Sequence, residues 1–458
     1  MDEQRLARAL RQGPPFATRY VPSSLALDDA PVVRPPVGVG RLVLVIAVTA
    51  LLLVGLLAGL VAVGILRNDD RPVSNGWIAF ARFGSGPPGP AGWVERDIYL
   101  VREGEAAHRI VGSDADSLDQ ICPAFSPDGT RLAHGEADGT PDTGYRDAAL
   151  VISDVNAEGN ASESLRIDVG GTFPPPCAIW SADGGRVAFG VPLTSPGNPD
   201  RTAAGSEVWV ATVADGHVEV LSDLLATDLE WSPQGSELAI ASGQTDRGDG
   251  NRLRDGSIRL YDADSGEMRT LVGPSGVYTL TWSPEGSRIA YQRGESDGGG
   301  MDQEIWVVRV DGSGENLVAR GFGAIRGIGP VWSPSGDYIV YQGCKLGCSG
   351  ETVSQRVMLV TPDGESEVVL PSLTLQPGSE EVPRDAWFPC RVIWSPDGRE
   401  LLYTAWRHSG EGLRDRKALI SRPLDRGSDP AVLLEDTAIS ACEEDHAVQG
   451  IQSWSTDG

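Results

Sequence analysis

The sequence predicts an all-β fold: a seven-bladed β-propeller closed by the C-terminal strand and preceded by a single transmembrane helix. Three observations carry this prediction. A short motif recurs along the chain, each repeat contains four short apolar segments, and a 25-residue uncharged run precedes the first repeat. A period of about 50 residues that holds several short strands is typical of propeller blades.

The recurring motif is an aromatic residue, a tight turn and an apolar strand, as in WSPDGRELLYTAW at 394–406. Proline presets φ, aspartate hydrogen-bonds its own backbone and glycine accepts positive φ, so Ser-Pro-Asp-Gly predicts a turn. The alternating apolar residues that follow predict a strand. The tryptophan is suited to packing between neighbouring blades. Copies of the motif begin at Phe125, Trp180, Trp231, Trp282, Trp332, Trp394 and Trp454.

The two ends of the repeat region are complementary. Each full repeat is predicted to hold strands A, B, C and D in that order. Residues 76–113 contain strands B, C and D without a strand A, and residues 451–458 contain a strand A without a strand B. The C-terminal strand is therefore predicted to complete the first blade, which would leave no sheet edge at the ring closure. Six full units begin near Cys122, Cys177, Asp228, Thr279, Gly329 and Arg391.

The W-S-P-D-G turn followed by an apolar strand resembles the TolB-like propeller family, with its WD40-like repeats, and is similar to the propeller of prolyl-oligopeptidase-type peptidases. The resemblance covers residues 76–458. It implies a propeller fold and partner binding in or around the central channel. The chain departs from TolB itself in its apolar N-terminal run, in its seven predicted blades rather than six, and in lacking a recognisable TolB N-terminal domain.

Residues 42–66 form the uncharged apolar run, which is long enough to span a bilayer. Six arginines in residues 1–41 place that segment in the cytoplasm by the positive-inside rule. We therefore expect a largely disordered cytoplasmic tail at 1–41, a transmembrane helix at 42–66, a linker at 67–75 and an extracellular propeller at 76–458. A cleaved signal peptide is the alternative, although its apolar region is usually shorter.

Charge limits the partners. The formal net charge is −26, which argues against nucleic acid as a ligand because such binding needs a basic surface. No cofactor or metal is predicted, since Asp114, Asp116 and Asp119 resemble a calcium loop only loosely.

Loop lengths predict which face of the disc binds a partner. The A–B and C–D turns are short, whereas the B–C and D–A connections are long and polar, and antiparallel topology puts the long ones on one face. They could also be solvated insertions. In the longest D–A connection, Arg384, Asp385, Trp387 and Phe388 are candidate partner-binding residues, because exposed aromatics beside arginine often anchor interfaces; equally, the aromatics could plug the channel mouth. Two blade-start residues complete the candidate site: Asp228 and Arg391.

All six cysteines lie in the predicted outer domain, which is consistent with an oxidising compartment. One of the many connectivities is favoured by position. It pairs Cys122 with Cys177, Cys344 with Cys348, and Cys390 with Cys442.

The pattern G-x-S-x-G occurs once, as GESDG at 294–298, and it is followed by the predicted strand EIWVVRV rather than by the helix of a nucleophile elbow; there is no HExxH motif. The preferred hypothesis is a membrane-anchored, non-catalytic propeller that binds a protein or a cell-envelope polymer, as a scaffold or a sensor. The alternative is a propeller enzyme of glycan hydrolase or lyase type that uses channel carboxylates. A third hypothesis is a signal transducer whose tail meets a cytoplasmic partner.

Overall fold

The structure is a computed structural model, and it describes these residues: 77–83, 95–102, 105–112, 118–140, 144–171, 173–195, 198–246, 252–296, 301–322, 329–343, 356–365, 367–369, 387–395, 397–408, 414–424, 431–435 and 453–454. The predicted tail, transmembrane helix and linker lie outside them. Within the described ranges, no helix is both long and apolar enough to cross a bilayer.

The described residues form strands only, as the sequence predicts. In chain order they are β1 (Ile78–Phe83), β2 (Arg96–Val101), β3 (His108–Val111), β4 (Leu118–Phe125), β5 (Arg131–Asp138), β6 (Arg146–Val155), β7 (Ala161–Asp168), β8 (Ala178–Trp180), β9 (Arg186–Ser195), β10 (Asn198–Thr212), β11 (Val218–Trp231), β12 (Glu237–Asp246), β13 (Arg252–Asp262), β14 (Glu267–Val272), β15 (Val277–Trp282), β16 (Arg288–Ser296), β17 (Met301–Arg309), β18 (Asn316–Phe322), β19 (Val331–Trp332), β20 (Ile339–Gly343), β21 (Arg356–Val360), β22 (Glu367–Val369), β23 (Trp387–Trp394), β24 (Glu400–His408), β25 (Arg414–Pro423), β26 (Ala431–Glu435) and β27 (Ser453–Trp454).

These 27 strands form six antiparallel sheets, five of four strands and one of seven, and the repeat units run through them in the order A, B, C, D. Unit 1 is β27-β1-β2-β3, unit 2 is β4-β5-β6-β7, unit 5 is β15-β16-β17-β18, unit 6 is β19-β20-β21-β22 and unit 7 is β23-β24-β25-β26. Units 3 and 4 share one seven-stranded sheet, β8 to β14. The predicted D–A loop between them is wrong, because the chain stays extended through β11, which pairs with β10 and then with β12.

The motif tryptophans join neighbouring units. In four units the motif tryptophan donates its indole Nε1–H to a backbone carbonyl of the unit before it. The acceptor is the residue next to that unit's own motif aromatic, on its N-terminal side. The pairs are Trp180 to Ala124, Trp282 to Glu230, Trp332 to Thr281 and Trp394 to Val331, with N···O distances of 2.9, 3.1, 3.2 and 3.3 Å. The repeat therefore fixes the spacing of adjacent inner strands through a polar contact as well as through packing.

The motif turn is held by its own serine. In the first full repeat the Ser126 hydroxyl donates to Asp128 Oδ1 at 2.6 Å, and the Arg131 N–H donates to Ser126 Oγ at 3.0 Å. Gly129 closes the turn with φ of +71°, a value that favours glycine. The hydrogen bond from Ser126 lowers the pKa of Asp128 below its usual value. The same turn recurs at Ser181 and Ser395.

Replacing Trp282 by phenylalanine is expected to destabilise the protein by about 1–2 kcal/mol, because it removes the hydrogen bond to the Glu230 carbonyl. Trp231 is the matched control. It is as deeply buried, but its Nε1 has no hydrogen-bond partner among the described residues. Trp231→Phe should cost distinctly less in a urea unfolding measurement. Equal losses for the two variants would contradict a role for the indole hydrogen bond.

The core lies between units. Units 4 and 5, for example, share a buried cluster that contains Ile258, Leu260, Trp282 and Ile289. One cluster also joins the last unit to the first, since Leu402 and Leu419 of unit 7 pack with Ile78, Phe80 and Val101 of unit 1.

The C-terminal strand β27 pairs with β1, with Trp454 opposite Ile78 and Ser453 opposite Ala79. It occupies the strand A position that residues 76–113 lack.

Candidate functional site

Three of the long connections, the B–C connections of units 3, 4 and 5, are built as hairpins. In unit 3, β9 and β10 continue well past their neighbours, down to the pair Ser195 and Asn198. In unit 4, β12 and β13 continue to the pair Asp246 and Arg252. In unit 5, β16 and β17 reach Ser296 and Met301. The sequence predicts loops at these positions. Antiparallel pairing continues instead, so one face carries projecting two-stranded ribbons.

A buried salt bridge lies at the same face, where units 1 and 2 meet. Arg96 begins strand C of unit 1 and Asp119 lies near the start of strand A of unit 2. Their side chains are 3% and 1% exposed. The guanidinium donates to both carboxylate oxygens, at 2.8 and 2.6 Å, and the Arg96 N–H donates to Oδ1 at 2.9 Å. The ion pair is therefore bidentate, a geometry in which both charges are well satisfied.

Tyr145 completes this group from the B–C connection of unit 2. Its hydroxyl donates to Asp119 Oδ2 at 3.0 Å. Burial and the charge of Asp119 raise the pKa of Tyr145, so the hydroxyl stays a donor at any working pH. The group thus joins the end of the B–C connection of unit 2 to strand C of unit 1 and to strand A of unit 2. These contacts restrain the position of that connection.

A second polar network runs beside it across the same junction. Arg109 donates to Asp97 Oδ2 at 2.9 Å in unit 1, and Arg166 donates to Glu136 Oε1 at 2.6 Å in unit 2. Gln120 lies between the two ion pairs, with its Nε2 donating to Glu136 Oε2 at 3.5 Å. The carboxylates are buried whereas both arginines are about one-third exposed. Each ion pair therefore joins a buried carboxylate to a partly exposed guanidinium.

His134 lies in β5 and is 1% exposed. Neither of its ring nitrogens has a hydrogen-bond partner within the described residues. Burial, followed by the charge of Arg166, lowers the pKa of His134 to about 4. The imidazole is therefore neutral near pH 7 and is not a charged ligand-binding group there.

Asp228 and Glu230 occupy alternate positions on the inner strand of unit 4. The Leu280 N–H donates to Asp228 Oδ2 at 2.9 Å, and the Trp282 N–H donates to Glu230 Oε2 at 2.8 Å. The Thr281 hydroxyl donates to Glu230 Oε1 at 3.2 Å. Because β15 is an edge strand of its sheet, these carboxylates satisfy backbone donors that have no strand partner. The candidate partner-binding residue Asp228 thus also joins units 4 and 5.

Among the inner-strand carboxyls that the structure describes, Glu230 has the largest shift of its pKa. Loss of hydration, opposed by the Trp282 hydrogen bond and assisted by the charge of Asp228, raises the pKa of Glu230 to about 8. The side chain is therefore largely protonated at neutral pH, and it can donate as well as accept a hydrogen bond.

Stability should fall as the pH rises from about 4.5 to about 8. Over that range the native state keeps a proton on Glu230 that the unfolded chain has lost, so ionisation favours unfolding. Glu230→Gln imitates the protonated form and should be more stable than the parent above pH 8, by an amount on the order of a few kcal/mol.

Urea unfolding at pH 5, 7 and 9 measures this difference. Glu237→Gln, which removes a partly exposed carboxylate of the same unit, serves as the control and should not flatten the pH dependence. An unchanged pH dependence in Glu230→Gln would contradict the assignment.

The remaining predicted partner-binding residues lie in or just before strand β23. Arg384 and Asp385 lie outside the described residues. Trp387 and Phe388 were expected in the D–A connection, and that placement is wrong, because they begin strand β23 opposite Arg407 and Trp406. Apolar and aromatic residues at the end of that connection extend the inner strand. Arg391 lies in the same strand, opposite Thr404.

Cys122 and Cys177 form a disulfide bond, with a Cα–Cα distance of 5.2 Å. Each lies three residues before its motif aromatic, so the bond joins equivalent positions of two repeats. Cys122 is in strand A of unit 2, and Cys177 directly precedes strand A of unit 3. Cys344, Cys348 and Cys442 lie outside the described residues, and Cys390 lies in β23. The other two pairings stay predictions.

The described ranges contain no cluster of three or more His, Cys, Asp or Glu residues able to hold a metal ion. Asp119, a member of the loose calcium-like pattern, is instead the partner of Arg96.

Sequence reasoning missed the buried polar groups at the unit 1–2 junction. Arg96, Asp97, Glu136 and Tyr145 fall outside the turn motif, and charged residues are ordinarily expected at the surface. A local signal is present in β2, where Arg96 and Asp97 precede the run IYLV.

Comparison with known proteins supports the fold. No family model matches the chain. An uncharacterised protein of Agrobacterium fabrum is 26% identical over 204 residues, which is 43% of this chain, and the match spans only 61% of that relative's length.

Among solved structures, a periplasmic gluconolactonase of Pseudomonas aeruginosa matches with a TM-score of 0.50 and 14% identity, covering 82% of this chain and 99% of that one. A candidate 6-phosphogluconolactonase of Bacteroides uniformis matches with a TM-score of 0.46 and 14% identity, covering 79% and 98%. A candidate TolB of Agrobacterium tumefaciens matches with a TM-score of 0.36 and 18% identity, covering 64% and 88%. The match to the gluconolactonase shows a similarity of fold alone.

Proposed function

We propose that the chain is a membrane-anchored, closed seven-bladed β-propeller whose long-connection face binds a protein or a cell-envelope polymer outside the cell, without catalysis. The observation that carries this proposal is the set of ribbons in units 3, 4 and 5, which project from one face. Variable connections on a rigid scaffold are where binding residues concentrate.

Closure of the ring is supported by two independent contacts between the chain ends. Strand β27 pairs with β1, and the cluster that contains Phe80 and Leu419 joins units 7 and 1. A closed ring would hold the ribbons in fixed positions relative to one another. The anchor at 42–66 and the extracellular location rest on the apolar run and on the arginines that precede it.

The opposite face supports this assignment by contrast. Its turns are short and tied across units, as in the ion pair between Arg186 and Asp264 at 2.8 Å and the bond from Arg269 to the Val310 carbonyl at 2.7 Å. Side chains already engaged in such ties are poorly placed to adapt to a partner. The long-connection face has the extra chain length that a binding surface needs.

Capture from a cell-envelope extract tests the proposal. The bait is the full chain, beside one variant in which residues 243–256 are replaced by a tight turn and a second with Trp387→Ala and Phe388→Ala. The control variant, Asp264→Asn, changes the short-turn face. We expect a component that the parent and the control retain and that the ribbon variant loses. Equal capture by all of the variants, each checked for equal thermal stability, would contradict binding at this face.

A second candidate function, a propeller enzyme acting on glycans, is favoured by one observation: a carboxyl with a raised pKa, Glu230, lies near a second carboxyl, Asp228. Both already accept backbone hydrogen bonds from β15, which is why binding is preferred. Turnover of an envelope glycan that is lost in Glu230→Gln, with folding intact, would favour the enzyme.

A further inference from the structure

The turn between strands C and D of unit 2 contains an acceptor motif for N-linked glycans. It joins β6 to β7 through residues 156–160, and Asn160 is followed by Ala161 and Ser162. Asn-x-Ser/Thr, with x other than proline, is the pattern in which an asparagine of a secreted chain is glycosylated. No other asparagine of the chain has serine or threonine two positions later. The sequence therefore points to one position.

The structure leaves both defining residues of the motif accessible. Asn160 and Ser162 are exposed. Ser162 lies in β7, which is the outermost strand of its sheet and pairs with β6 alone, where Ser162 is opposite Asp154. An enzyme can therefore approach this segment from the open side of the strand.

The fold of the turn does not use the Asn160 carboxamide. The Asn160 backbone N–H donates to Asn156 Oδ1 at 2.8 Å, and the Asn156 N–H donates to the Asn160 carbonyl at 3.0 Å. Among the residues that the structure describes, no hydrogen bond involves the Asn160 carboxamide or the Ser162 hydroxyl. Of the two asparagines of the turn, Asn156 thus holds the backbone with its side chain, and Asn160 keeps its side chain unengaged.

The turn rests against unit 1 on its other side. Gly159 is buried, and a Cβ atom added there would meet His108 and Trp77. The turn is therefore fixed by a residue next to Asn160, while Asn160 itself remains exposed.

We propose that Asn160 is the attachment site of an N-linked oligosaccharide. This rests on the extracellular location proposed above, because the modification belongs to secreted chains. The donor is an oligosaccharide carried on a lipid diphosphate. Asn160 Nδ2 attacks C1 of the first sugar, a C–N bond forms as the C–O bond to the diphosphate breaks, the lipid diphosphate leaves, and one amide proton is released to solvent.

The position is compatible with the proposed binding face. The turns between strands C and D lie on the short-turn face, opposite the ribbons of units 3, 4 and 5. A bulky, hydrated glycan at Asn160 would leave those ribbons uncovered.

Peptide mass spectrometry of the full chain, purified from the envelope of its native cells, tests the proposal. Trypsin cleaves after Arg146 and Arg166, so one peptide contains both Asn156 and Asn160. Backbone fragmentation of that peptide locates an added sugar at one asparagine or the other. The same measurement is made on Asn160→Gln, Ser162→Ala and Ser162→Thr. Asn156→Gln is the matched control, since it changes the other asparagine of the same turn.

We expect the sugar at Asn160 in the parent, in Ser162→Thr and in the control, and we expect it to be absent from Asn160→Gln and Ser162→Ala. An unmodified Asn160 in the parent, or a sugar that persists in Ser162→Ala, would overturn the proposal. Protease digestion of intact cells separates this site from the location on which it rests. A digested propeller with an unmodified Asn160 removes the attachment site and leaves the extracellular location standing, whereas a protected propeller with an unmodified Asn160 overturns both.

Discussion

Asp119→Ala is expected to destabilise the protein by about 3–5 kcal/mol, the loss typical of removing one partner from a buried ion pair. Asp119 accepts three hydrogen bonds from Arg96 and one from Tyr145. Without it, a guanidinium that is 3% exposed would lose its counter-charge in the interior. Urea unfolding at pH 7 measures the loss.

Two companion variants separate the ion pair from packing. The double variant Arg96→Met/Asp119→Leu replaces both charges by apolar groups and should lose less stability than Asp119→Ala alone. Tyr145→Phe removes the hydroxyl that donates to Asp119 Oδ2 and accepts from Arg96 Nη2 at 3.4 Å, and it should cost about 1–2 kcal/mol. If the double variant proves less stable than the single one, the cost comes from lost packing and not from an unpaired charge.

Removing the disulfide by Cys122→Ala/Cys177→Ala should destabilise the protein by about 4 kcal/mol, from the chain entropy released when a loop of this length is opened. The sequence separation is 55 residues. Both side chains are buried, with Ile121 in contact, so removing the two sulfur atoms also costs the folded state some packing.

Denaturant unfolding with free thiols blocked measures this loss, with the parent unfolded under reducing conditions for comparison. The variant leaves the other four cysteines in place. A larger loss of stability in the reduced parent would therefore show that disulfide bonds among those four also stabilise the protein. A stability equal to that of the oxidised parent would show that this bond does not restrict the unfolded ensemble.

The repeating part of the fold could be predicted from sequence because its signals are local. The turn residues, the strand alternation and the tryptophan are repeated with the spacing of one unit, and each copy reinforces the others. The pairing of the two chain ends could also be predicted. Residues 76–113 lack a strand A, and the motif at Trp454 supplies one. The projecting ribbons could not be predicted, because polar segments rich in glycine and aspartate are typical of loops and of exposed hairpins alike.

The candidate site was less predictable for a different reason. Arg96 and Asp119 are 23 residues apart and meet only because two adjacent units bring their strand ends together. Glu230 is one carboxylate among 64 acidic residues, and its distinction is the enclosure that raises its pKa. Such properties arise from tertiary contacts, and no local pattern marks them.

We propose that the C-terminal strand, which pairs with β1, completes the first unit and so closes the ring. Cross-linking tests it most directly. Ala79 lies opposite Ser453, and opposed residues of antiparallel strands lie close enough for a disulfide. Ala79→Cys/Ser453→Cys is predicted to form an intramolecular bond that mass spectrometry detects in the folded protein. Ile78→Cys/Ser453→Cys, whose side chains point to opposite faces, should not. Absence of the first bond, or equal yields for both pairs, would contradict closure.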